Sequence, residues 1–153
     1  MSTTSPPSRR EALLQALGST LTSVAAQHGA RYLRSPTEPL EAMAKAALIL
    51  LPEQNSVTQR SNQAVTQTLT VRILACTRQA GSAGEAPWIA ADAMLADAHL
   101  ALRAAAGWGG LALAVDEVDC DWDIAASGSV SAVLPARYAL HYRTHWADTR
   151  QAG

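Results

Sequence analysis

Apolar residues near the start of the chain recur at helical intervals: Leu13, Leu14, Leu17, Leu21 and Val24 share one stripe. Ser8 stands just before the stripe with Glu11 three residues on, the spacing of a capping box, and Gly29 supplies a stop. These signals predict a helix from Arg9 to about Gln27, preceded by a loose polar arm over 1–8 with two prolines. Residues 30–42 hold Pro36 and Pro39 and read as a connecting loop. Residues 44–51 are short and apolar, end at Pro52, and suit a buried strand. The next stretch, EQNSVTQRSNQ over 53–63, is polar without aromatics and reads as a mobile loop. Strict alternation then begins. Val65, Leu69, Val71, Ile73 and Ala75 point one way, and Thr66, Thr68, Thr70 and Arg72 the other. A strand over 65–76 would reach roughly 40 Å, twice the ordinary length, so its excess is expected to project as an arm.

Gly81 and Gly84 mark a turn over 77–87. A second helix follows over 88–106, with Ile89, Ala93, Ala96 and Leu100 as one stripe and Trp88, Leu95 and Leu102 as its neighbour. Trp88 and Trp108 bracket it and are expected to close the core, and Gly107, Gly109 and Gly110 end it. Strands over 111–122 and 137–146 flank the turn-rich ASGS at Ala126–Ser129, with Tyr138, Leu140, Tyr142, Thr144 and Trp146 on one face of the last. The order α-β-β-α-β-β predicts an α+β fold: a mainly antiparallel four-stranded sheet with helices packed on one face. A single domain spans 9–147, and 148–153 form a tail.

Composition narrows the function more than the fold. Charged residues are 16% of the chain against about 25% in an average soluble domain, which suits a protein that hides surface in an oligomer. A formal net charge of -1 and the absence of a basic run offer no field for nucleic acid or an anionic membrane. The two cysteines, Cys76 and Cys120, are too few for a disulfide framework and read as apolar fillers in strands. No signal peptide is evident at the N-terminus and no apolar run reaches membrane-spanning length, so the cytoplasm is the expected compartment.

The stretch that looks most like chemistry is DEVDCDWD over 116–123, with five carboxylates. On a strand Asp119, Asp121 and Asp123 fall on one face and Val118, Cys120 and Trp122 on the other, the pattern of a half-exposed strand end. A calcium loop would need a sharp glycine turn, and Ile124 stands at the sixth place. His141 and His145 are four apart, which on a strand means roughly 13 Å, too far to share one zinc. With Arg137 and Arg143 they belong to a polar face. No nucleophile elbow, Walker A or dinucleotide fingerprint occurs, and GWGG at 107–110 follows a helix where a phosphate cradle would open one. Neither a catalytic residue, a metal site nor a cofactor is expected.

These elements together resemble the tail terminator, or tail completion, proteins of long-tailed bacteriophages. The helix REALLQALGSTLTSVA, the strands AALILLP and VTQTLTVRILAC, the helix WIAADAMLADAHLALRAA and the closing RYALHYRTHW carry the likeness from Arg9 to Trp146. The family's final strand is commonly apolar-x-Tyr-x-Thr, as in Leu140, Tyr142 and Thr144. The resemblance implies a structural virion protein. It would form a hexameric ring on the head-proximal end of the tail tube, end tube growth, and offer a docking surface to the head-completion protein. DNA would pass through the ring without specific binding. A neighbouring role as head-tail adaptor or tube-like subunit stays open, as does a non-phage oligomeric α+β ligand-binding module. The surfaces expected to meet a partner or a second copy are Gln54, Asn55, Gln59 and Arg60, the acidic edge Asp119, Asp121 and Asp123, and Arg137 and Arg143. The acidic residues and the arginines are expected on different faces of the ring, choosing partners by charge.

Overall fold

The computed structural model describes residues 4–37, 45–78, 86–105, 107–121 and 131–153. Its elements are α1 (Arg9–Gln27), β1 (Arg31–Arg34), β2 (Ala46–Ser61), β3 (Ala64–Arg78), α2 (Pro87–Ala104), β4 (Ala114–Cys120) and β5 (Ser131–His145). The α+β class holds, but the sheet has five strands in the order β1-β2-β3-β5-β4 and is mixed, since β1 runs parallel to β2.

α1 starts where its cap predicts. The Ser8 hydroxyl accepts from the Glu11 amide at 3.1 Å, a contact of the kind that contributes about 1 kcal/mol. The other half of the expected capping box is not made, because the Glu11 carboxylate takes the Arg34 guanidinium at 2.6 and 2.8 Å instead. At the far end the Ala30 amide reaches the Ala25 carbonyl at 2.8 Å and Gly29 reaches Ala26 at 3.2 Å. That closing pattern needs a left-handed residue, which Gly29 supplies at φ +62. Leu13, Leu14, Leu17, Leu21 and Val24 are buried as their spacing predicts.

Two expectations about the first half of the sheet are overturned. Arg31–Arg34, within the stretch read as a loop, pairs with residues 47–50, because the Gly29 turn lays the chain directly beside β2. The polar stretch 53–63 is no mobile loop. It continues β2 to Ser61, hydrogen-bonded to β3 as far as Ser61↔Ala64, across the two-residue loop Asn62–Gln63. Asn62 takes φ +51 there, a conformation asparagine tolerates well. Beyond β1 the outer side of β2 has no partner strand among the described residues, so nothing selects apolar side chains on it. Glu53 and Thr58 are extra residues at two irregularities in its register. The long β3 is no projecting arm either, since β5 runs beside it from Ala64↔His145 to Arg78↔Ser131.

Both helices cover one face of the sheet. Beneath them lie Leu48, Leu50, Leu69, Val71, Ile73, Leu134, Tyr138 and Leu140, all buried. Thr66, Thr68, Thr70 and Arg72 turn to the opposite face, as the alternation predicts. On that face Leu33, Ile49, Leu74 and Pro135 line up across four strands at one end.

α2 buries Ala91, Met94, Leu95, Ala98 and Leu102. Of the two stripes the periodicity marks, Leu95 and Leu102 belong to the buried one and the other faces outward: Ile89 is 48% exposed, Leu100 68%, and Ala93 and Ala96 are exposed as well. Trp88 is likewise half exposed and closes nothing, whereas Trp108 packs on the core and donates to the Thr20 hydroxyl at 3.1 Å. The tail turns back on the domain. The Trp146 amide bonds the Gln63 carbonyl, the His145 amide bonds the Gln151 carbonyl, and the Arg9 amide bonds the Thr149 carbonyl.

Candidate interaction surface

The residues expected to meet partners occupy two separate places. Gln54, Gln59 and Arg60 are exposed along the outer half of β2. Asn55 is only part-exposed and turns to the helix-covered face, into a polar knot. Its Nδ2 donates to Gln67 Oε1 at 2.6 Å, and its Oδ1 accepts from the Tyr142 hydroxyl at 2.6 Å. Gln67 Nε2 donates in turn to the Thr144 hydroxyl at 2.8 Å, and Thr144 is 1% exposed. Burial holds the Tyr142 hydroxyl above its ordinary pKa, so it stays a donor. This knot ties β2, β3 and β5 together near the hairpin tip. The sequence signal for it was Gln67 in the apolar register of β3.

The acidic stretch lies on β4, the other edge strand. Register is broken between Glu117 and Asp119, so Val118 is extra and 51% exposed where alternation had placed it inward. The bulge sends Asp119 to the helix-free face opposite Arg137. There Arg137 Nε donates to Asp119 Oδ1 at 2.9 Å, and a second short bond joins Nη2 to Oδ2. Arg137 holds the Asp119 carboxylate below its ordinary range, and Asp119 raises the guanidinium further. The expectation that acids and arginines occupy different faces is therefore wrong for this pair, because cross-strand register sets them side by side. Asp121 is exposed, and Asp123 lies outside the described residues. Arg143 is exposed and reaches the Thr66 hydroxyl at 3.3 Å.

The two histidines share one face of β5 but keep separate partners, as their spacing along a strand requires. His141 bridges the Thr68 hydroxyl at 2.9 Å and Asp116 at 3.2 Å, while His145 accepts from the Ala147 amide at 3.2 Å. Among the described residues no group of three or more His, Cys, Asp or Glu is placed to hold a metal ion. Cys76 is pushed up to about 11 by burial, and the Cys120 thiol is raised by burial and then by Glu117, Asp92, Asp121 and Asp119.

One feature carried no sequence signal. A groove of about 380 Å³ between α2 and the β4–β5 edge is lined by Asp92, Leu95, Ala96, His99, Glu117, Cys120 and Tyr138. His99 Nδ1 lies 3.0 Å from the Tyr138 hydroxyl and 3.5 Å from Glu117. Burial, then Glu117, pushes Tyr138 up to about 12. These residues come from three elements spaced far apart in sequence: the β4–β5 register sets Glu117 beside Tyr138, and the packing of α2 brings His99 to both.

No helix among the described residues is long and apolar enough to cross a membrane. No protein-family model and no curated protein matches the chain.

Proposed function

We propose that this chain is a structural subunit that forms a ring on the end of a phage tail tube, stops tube growth and presents a joining surface to the head. The observation that carries the reading is the sheet itself, whose two outer strands are unlike. One border is β1 with Arg31 and Arg34, and the other is β4 with Asp116, Glu117 and Asp119. A body with two unlike sides favours head-to-tail contact over two-fold pairing, and head-to-tail contact gives a ring where the rotation between copies closes. Helices on one face of the sheet alone leave the other face to look toward the ring's hole or its neighbours. Assembly takes place in the host cytoplasm, and the tail tube protein and the head-completion protein are the partners.

The test is solution mass by light scattering, alone and with purified tail tubes, followed by negative-stain imaging. Six copies of a 16.1 kDa chain give about 97 kDa and a six-fold image. A protein that stays at the mass of one chain and leaves tube ends unlabelled refutes the reading.

The groove beside Tyr138 favours a second reading, an oligomeric module that binds a small cation. The Glu117 carboxylate and the Tyr138 phenol meet the His99 imidazole there, and Asp92 stands on the same lining. A basic ligand that raises Tm in the native protein but not in Glu117→Gln would support it.

A further inference from the structure

The outward stripe of α2 has no role in the fold. Ile89, Ala93, Ala96 and Leu100 fall at intervals of four, three and four residues, so at about 100° per residue they share an arc of roughly 60°. Both ends are large and well exposed, at 48% and 68%, and the middle is small. The spacing reads the same in either direction. We infer that this stripe is the contact of an antiparallel pair formed with a second copy of the chain.

A two-fold axis between Ala93 and Ala96 sets Ile89 against the partner's Leu100 and Ala93 against the partner's Ala96. Large side chains then meet at the ends and alanines in the middle, which lets the helix axes approach closely. Charge follows the same axis. Asp92 and His99 lie on one flank of the stripe, and the antiparallel register brings Asp92 within about 3 Å, along the axis, of the height of the partner's His99. His99 already meets the Tyr138 hydroxyl through Nδ1 at 3.0 Å, so it is through the other ring nitrogen that two acid–imidazole pairs face each other across the axis. On the other flank Asp97 is already bonded to His28 at 2.7 Å, so it does not meet its twin as a bare charge. The stripe and Trp88 together expose on the order of 400 Å² per copy, half of the ~800 Å² typical of a stable complex. The pair is accordingly reversible, with a dissociation constant in the micromolar range or weaker.

This contact does not rest on the ring, which closes through unlike edges, whereas this one joins like to like. The test uses the full chain. Sedimentation velocity across a concentration series should show dimer mass growing with concentration. Leu100→Glu, on an exposed position, should lower the self-association at least tenfold while far-UV circular dichroism stays unchanged. Register is tested with Cys76 and Cys120 replaced by alanine. Ile89→Cys and Leu100→Cys should form a disulfide dimer when mixed and oxidised. Neither should do so alone, because like positions stand about 16 Å apart along the axis. A dimer from Ile89→Cys alone, or association of Leu100→Glu equal to that of the native chain, overturns the inference. A ring that survives Leu100→Glu while the mixed disulfide fails leaves only the tail-tube reading. The mixed disulfide in a protein that makes no ring does the reverse.

Discussion

Replacing Gln67 by leucine probes the buried knot. The side chain is 7% exposed and joins three strands through Asn55, Thr144 and Tyr142. Leucine keeps the volume and removes every polar contact. Thr144 is 1% exposed, cannot reach water, and loses its partner, at a cost of about 1–3 kcal/mol. Asn55 is part-exposed and can turn its amide to solvent, so its lost bond costs about 1 kcal/mol. Burying the leucine returns about 1 kcal/mol. The net loss is about 2 kcal/mol, which for a domain of this size lowers Tm by roughly 4–8 °C. Thermal unfolding followed by circular dichroism measures it. Gln67→Leu combined with Thr144→Val removes donor and acceptor together, so the pair should be coupled by about 1–2 kcal/mol in a double-mutant cycle. A Gln67→Leu protein as stable as the native one, or additive single effects, would show that the knot does not hold the hairpin.

Three other outcomes follow from particular contacts. A Cβ built on Gly18 stands 2.7 Å from the Tyr32 hydroxyl, so Gly18→Ala should lower Tm despite alanine's helix preference of about 1 kcal/mol. Adding Tyr32→Phe removes the tightest contact and should recover most of the loss; a stabilised single variant refutes the packing. Asp119 is held below its ordinary pKa by Arg137, so the pair's contribution is complete above the ordinary aspartate range and fades as pH falls through the depressed folded value. Asp119→Asn should therefore unfold at lower Tm than the native chain near neutral pH and match it in strong acid, and a gap that persists in acid refutes the assignment. Leu17→Ala, at 1% exposure on α1, should cost about 2–5 kcal/mol in a urea titration, and a loss under 1 kcal/mol would mean the helix packs loosely.

What could be read from the sequence follows from how many faces of each element are buried. α1 has one wet side, so its stripe, its Ser8 cap and its Gly29 stop fix both ends. β3 lies inside the sheet with one face under the helices, so its alternation is legible. α2 is alanine-rich all round, so the Ile89–Leu100 stripe and its neighbour through Leu95 and Leu102 read alike, and only the packing shows that the second is the buried one. The outer half of β2 and all of β1 are edges, where backbone hydrogen bonds hold the strand and side chains are free to be polar. Asp119 and Arg137 were both singled out, but their pairing depends on one extra residue, Val118, which no local pattern announces. The groove at Tyr138 depends on that same register.

The kinks in β2 bear on how the protein behaves when crowded. A long unprotected border of amides and carbonyls invites foreign strands to lie down and fibres to grow. Here Pro52 removes one donor, Glu53 swings aside to Arg72 at 2.6 Å, and Thr58 throws the border out of line again. Removing Glu53 and Thr58 would straighten it, and a concentrated solution of that variant would be expected to turn turbid sooner than one of the native chain.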